Sequence, residues 1–174
     1  GDPTREETMS LVEAGLGAQP AAAASADLKV VRLTYYYRDP LALALDIRSK
    51  AKFITFDFAN DRLVAYNFRS TYRDDTSNFD EKKASLLESG KTTRDGVVAL
   101  FGPPTGRAVF PAAPAGTEIY TYDFSVTGTM RSIEKRLDVA IGDDGLVQKF
   151  NLVQETTPIS RGATTVPVFI PRGK

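Results

Sequence analysis

Two segments of this chain, KFITFDFANDRLVAYNFRS (52–70) and KRLDVAIGDDGLVQKFNLVQ (135–154), each hold two alternating apolar–polar runs around a cluster of turn formers. A period of two sends successive side chains to opposite faces, so each segment predicts an antiparallel hairpin with one apolar face. Ile54, Phe56 and Phe58 share that face in the first, and Leu137, Val139 and Ile141 in the second. The turns are ANDR and GDDG. Ile141 to Phe150 is one residue shorter than Phe58 to Phe68, so one copy is expected to carry a bulge or a different turn.

The segments before the hairpins repeat as well. LKVVRLTYYYRD (28–39) and EIYTYDFSV (118–126) both alternate, with Leu33, Tyr35 and Tyr37 in the places of Tyr120, Tyr122 and Phe124. Each follows a loop of small residues, PAAAASAD in one copy and RAVFPAAPAGT in the other.

Upstream, Thr93 can cap a helix whose Val97, Leu100 and Phe101 share one side and whose stop is Gly102-Pro103-Pro104. NFDEKKASLLES (78–89) predicts a further short helix capped by Asn78 or Asp80, with Gly90 as its end. In the first half, PTREETMSLVEAG offers Thr4 and Glu7 as a capping box before Met9, Leu11 and Val12, predicting the matching helix. The chain thus reads as an internal repeat of about 85 residues. Its parts are a first unit over 1–76, lacking its first helix, a second unit over 77–155, and an extended tail over 156–174 in which VPVFI could add an edge strand. The expected fold class is α+β: two tandem α-α-β units with helices packed on one face of an antiparallel sheet.

Composition removes much chemistry. There is no cysteine and no histidine, so thiolate nucleophiles, Cys/His zinc sites and His-dependent triads are excluded. With 22 basic and 22 acidic side chains the chain has no electrostatic footprint for nucleic acid. No stretch approaches the roughly 18 apolar residues of a membrane span. The opening GDPTREETM lacks both an apolar signal region and an initiator Met. A trimmed form is the expectation, with any export signal or lipid-anchoring cysteine upstream.

The segment T-x-x-x-V-x-x-L-F-G-x-P (93–104), followed by a loop, the Tyr120/Tyr122 strand and a hairpin with an Asp-Gly turn, resembles the BamE/SmpA/OmlA type of small bacterial outer-membrane lipoprotein. The second copy matches throughout. The first departs at Thr8, where the motif has an apolar residue, and around Gly15. The tandem arrangement is similar to the β-lactamase inhibitory protein fold, in which two units join their sheets into one concave protein-binding face. The resemblance implies an exported, often lipid-anchored protein with no catalytic role, acting as a scaffold or protein-binding module at the periplasmic face of the outer membrane or in the periplasm. Its partner would be another envelope protein, with membrane contact only through a possible upstream anchor. No cofactor, metal or catalytic residue is expected. A two-unit chain departs from the single-unit accessory protein of the barrel-assembly complex, so that job is not carried over. Alternatives are a periplasmic or secreted enzyme inhibitor using the same face and, more remotely, a carboxylate-based hydrolase.

Alternation then selects a candidate protein-binding face: Thr34, Tyr36 and Arg38 with Thr55, Asp57, Thr121, Asp123 and Asp138. Tyrosine and arginine dominate recognition surfaces; the alternative reading is that Tyr36 merely sits on the open side of a strand whose Tyr35 and Tyr37 are core. The acid pairs Asp74/Asp75 and Asp143/Asp144 read as solvated turns, outside any EF-hand spacing and lacking the separation that a glycosidase requires. GPPTG follows a helix, has no Lys-Ser/Thr after it and holds two prolines, so it is no phosphate loop.

Overall fold

A computed structural model describes residues 4–10, 28–38, 51–72, 75, 77–127 and 130–158. They form one eight-stranded antiparallel sheet in which every strand pairs with its neighbour in sequence. The strands are β1 (Arg5–Ser10), β2 (Lys29–Arg38), β3 (Ala51–Ala59), β4 (Arg62–Ser70), β5 (Gly106–Ala108), β6 (Thr117–Thr127), β7 (Arg131–Gly142) and β8 (Val147–Pro158). Between β4 and β5 lie a 3₁₀ segment, Glu81–Leu86, and one two-turn helix, α1 (Arg94–Phe101). The α+β expectation of two α-α-β units is therefore overturned. The fold is a continuous sheet with two short helical pieces among the described residues.

The correction begins at the first strand. Thr4 and Glu7 form no capping box, because Arg5–Ser10 pairs along its whole length with β2, from Arg5 opposite Thr34 to Ser10 opposite Lys29. Thr4 extends the pairing: its N–H donates to the Thr34 carbonyl at 2.8 Å, and its Oγ1 accepts from the Tyr36 N–H at 3.0 Å. A cap contributes about 1 kcal/mol, whereas a strand pairing satisfies a row of backbone groups at once. Leu11 to Pro20 of that expected helix lie outside the described residues, as does the tail beyond Pro158.

Both hairpins form. Asn60 and Asp61 join β3 to β4 with φ of 47° and 60°, the paired left-handed conformation of a tight hairpin turn. Gly145, at φ 76°, closes the β7–β8 turn, donating to the Gly142 carbonyl at 2.9 Å. Each hairpin carries a register shift, at Asp57/Phe58 and at Ala140/Ile141. The halves join where Ala65, Tyr66 and Asn67 of β4 meet Ala108, Arg107 and Gly106 of β5. β5 itself was not foreseen; it arises at the start of the stretch expected to be loop.

The core of the second half lies on the sheet face of Tyr120, Tyr122, Phe124, Leu137, Val139 and Ile141, against Phe79, Leu87 and Val97. Helix α1 follows its expected limits. Thr93 Oγ1 accepts from the Gly96 N–H at 3.1 Å, and Gly102 ends the helix at φ 81°. The expected helix over Asn78–Ser89 shortens to the 3₁₀ segment capped by Asp80. The reason is tertiary. The Lys135 ammonium, buried on β7, donates to Asn78 Oδ1 at 2.8 Å, the Phe79 carbonyl at 2.7 Å and Glu81 Oε2 at 2.8 Å. Those bonds hold Asn78 and Phe79 ahead of the helical segment, which begins only at Glu81. They also hold the ammonium about 5 Å from the ring centres of Phe79 and Phe124, at 5.1 and 5.2 Å.

Candidate functional site: a polar face across the sheet

Cross-strand partners project to the same side of an antiparallel sheet, so the register decides which residues share a face. Thr34 lies opposite Thr55, Thr55 opposite Asn67, and Asn67 opposite Gly106. Gly106 lies opposite Thr121, and Thr121 opposite Asp138. One transverse row of short polar residues therefore crosses the join between the halves. A parallel row begins with Tyr36 opposite Phe53 and Phe53 opposite Arg69. Asp123, Arg136 and Val153 continue it on β6, β7 and β8. By parity, all eight residues of the candidate face, Thr34, Tyr36, Arg38, Thr55, Asp57, Thr121, Asp123 and Asp138, lie on this one side.

The structure separates them by role. Asp57 is only 2% exposed, and Arg32 on the adjacent strand grips it with Nε on Oδ1 at 2.6 Å and Nη2 on Oδ2 at 3.0 Å. That forked hydrogen bond pushes the Arg32 guanidinium above its usual range, against the opposing effect of burial. Asp123, 3% exposed, accepts from Arg69 Nε at 3.1 Å. Asp138 accepts from Thr121 Oγ1 at 2.7 Å and from Arg136 Nε at 2.8 Å, and the latter bond raises the Arg136 guanidinium likewise. The three acids expected to meet a partner thus bond within the sheet. They hold the arginines in fixed positions instead.

What faces solvent is a different subset. Tyr36 is 47% exposed, Arg38 is exposed, and on the far strands Arg136 and Val153 are exposed, the latter by 44%. Gly106 leaves the middle of the short row without a side chain. A Cβ there would stand 3.0 Å from the Tyr66 carbonyl oxygen and 3.3 Å from Thr121 Cβ. At one end the β5–β6 loop packs Ala112 against Ala59, Val64 and Ala65, so only part of the face is open.

Arg32, Arg69, Arg136 and Asn67 were missed as members of the face. The signal is present for Arg32 and Arg136, each two residues from a chosen position on its own strand, and for Asn67, opposite Thr55, whereas Arg69 lies opposite Phe53, which was not chosen. Gly106 has no such signal, because a strand of three residues beside a run of small residues shows no alternation.

Asp75, Asp144 and Glu118 are each engaged within the fold. Asp75 Oδ1 accepts from the Lys52 ammonium at 2.7 Å, and Asp144 Oδ1 accepts from the Leu146 N–H at 3.0 Å within the hairpin turn. Asp74 lies outside the described residues. Buried Glu118 bridges Arg107 and Arg94, the latter at 3.1 Å, tying the start of α1 to β6. Among the described residues no group of three or more Asp or Glu could hold a metal ion, and no helix is long and apolar enough to cross a membrane.

No family model matches the chain, and no curated protein matches it. Among solved structures, it is similar to a Streptococcus mutans protein described as a "putative beta-lactamase inhibitor protein". The identity is 15% and the TM-score 0.45, over 89% of this chain and 76% of the other. A likeness of that degree says nothing of what this chain binds.

Proposed function

We propose that this chain is a non-enzymatic protein-binding module that engages its partner through the polar face of the sheet. The observation that carries the proposal is the row from Tyr36 through Arg69 and Arg136 to Val153. It places exposed tyrosine, arginine and apolar side chains on one side of a single sheet, with each of the two arginines already oriented by a carboxylate. Preorganised Tyr and Arg side chains lose little entropy on contact and supply most of the energy at protein interfaces. The neighbouring row, short-chained and open at Gly106, leaves space for a partner's side chains.

A carboxylate-based hydrolase fits this geometry poorly. It needs acids directed into a cleft, and here Asp57, Asp123 and Asp138 are each engaged by arginine. The cell envelope remains the compartment we propose, with another envelope protein as partner. Inhibition of an enzyme is a narrower form of the same contact.

The test is capture from an envelope extract by the immobilised chain, compared with the variants Tyr36→Ala, Arg136→Ala and Val153→Ala, singly and combined. A captured protein that is lost from the combined variant, at unchanged thermal stability, supports the proposal. Undiminished capture by the combined variant, or a turnover activity abolished by substituting one acid, would overturn it.

A further inference from the structure

The sheet has two edges, and they differ in kind. β1 is six residues long and carries Arg5, Glu6 and Glu7, the short charged build with which proteins protect an edge from further pairing. β8 is twelve residues long and pairs only with β7 among the described residues. At its start the outer side is taken: the Val147 carbonyl accepts from the Gly90 N–H at 2.7 Å, and the Val147 N–H donates to the Thr92 carbonyl at 2.9 Å. Beyond that point, from Gln148 to Thr157, no strand covers it among the described residues. The run includes Phe150, 38% exposed, and has a single cation, Lys149, and a single anion, Glu155, with no proline before Pro158.

From this edge we infer that two copies of the chain pair through β8, antiparallel about a two-fold axis at Leu152. Under such an axis residue i meets residue 304 − i, twice 152, and the sequence suits that register. Lys149 faces Glu155 of the second copy, and Glu155 faces its Lys149, both on the polar side of the sheet. Leu152 meets itself on the other side, and Gln148 meets Thr156. No like charges oppose one another. The axis also lies at the middle of the uncovered run, so this register uses nearly all the available backbone. An isologous contact of this kind closes on itself, giving a dimer with a continuous sheet and the charged β1 strands outermost. The inference is independent of the partner proposed above, since it uses an edge and not a face.

Sedimentation of the full chain up to about millimolar concentration tests it. Wild type is expected to dimerise reversibly. Lys149→Glu places like charges opposite each other twice and is expected to weaken the dimer roughly tenfold, and the swap Lys149→Glu with Glu155→Lys is expected to restore it. In this cysteine-free background Leu152→Cys should yield a disulfide-linked dimer under mild oxidation, while Lys149→Cys should not. All variants are compared at equal far-UV circular dichroism. A full-length chain that stays monomeric throughout, a charge swap that fails to restore what Lys149→Glu removed, or equal self-linking at 149 and 152 overturns the inference. Dimerisation gained only when residues 159–174 are removed also overturns it, because the chain's own tail would then occupy the edge.

Discussion

The Tyr122 hydroxyl on β6 donates to the carbonyl of Gly102, the residue that ends α1, at 3.0 Å. The bond fastens the helix stop to the floor of the core, where the Tyr122 ring lies 5.4 Å from that of Phe101 and 6.0 Å from that of Phe79. Burial at this position pushes the Tyr122 hydroxyl well above the ordinary tyrosine range.

Tyr122→Phe is therefore expected to cost about 1 kcal/mol at neutral pH through the lost hydrogen bond. The cost should shrink above pH 10.0, the ordinary tyrosine value. There the wild-type phenol ionises in the unfolded chain before the folded one, and stability present below that pH is lost as pH rises. Urea unfolding at pH 7 and at about pH 10.5 checks both statements.

The Lys135 ammonium holds Glu81 below the ordinary carboxylate value of 4.5, its hydrogen bond being the largest cause. Stability from a lowered carboxylate is present above its unfolded value and lost as pH falls through the folded one. Wild type should exceed Glu81→Gln in stability at pH 7, and the two should converge below about pH 4.5. Lys135→Met should cost roughly 2–4 kcal/mol, since it strands Asn78, the Phe79 carbonyl and Glu81 together.

Arg32 and Asp57 form the most buried ion pair of the polar face, with side chains 22% and 3% exposed. Arg32→Met alone leaves a buried carboxylate unpaired and is expected to destabilise by about 3–5 kcal/mol. Adding Asp57→Leu should recover most of that loss, because the pair's attraction is largely spent on its own desolvation. A double-mutant cycle by chemical denaturation measures the coupling.

Gly106→Ala should destabilise by roughly 1–3 kcal/mol, since the nearest neighbour of the added methyl is a backbone oxygen at 3.0 Å that the β4–β5 pairing holds in place. The loss should appear in thermal melts and as faster amide exchange in β4 and β5, the join between the halves.

Much of this was written locally. The alternation in 118–126 and 135–154 placed Tyr122, Leu137 and Val139 on the buried face, because side-chain direction in a strand follows directly from sequence parity. The stop at Gly102 and the turn at Asn60-Asp61 were legible for the same kind of reason, since each depends on a few adjacent residues adopting a backbone conformation their chemistry favours. The same parity put Thr34, Asp57, Thr121 and Asp138 on one side before any register was known.

What the sequence could not decide was set by pairing between distant segments. Thr4 and Glu7 carry the pattern of a helical capping box, and only β2 lying alongside makes Arg5–Ser10 a strand. Lys135, more than fifty residues away in sequence, holds Asn78 and Phe79 outside the helical segment, which starts at Glu81. Asp123 is bound internally because Arg69 reaches it across the join, a contact no local pattern encodes. Parity is a property of one strand and can be read along the chain. Which strands adjoin, and which charges they bring together, depends on the free energy of the whole sheet, and that is settled only when the sheet forms.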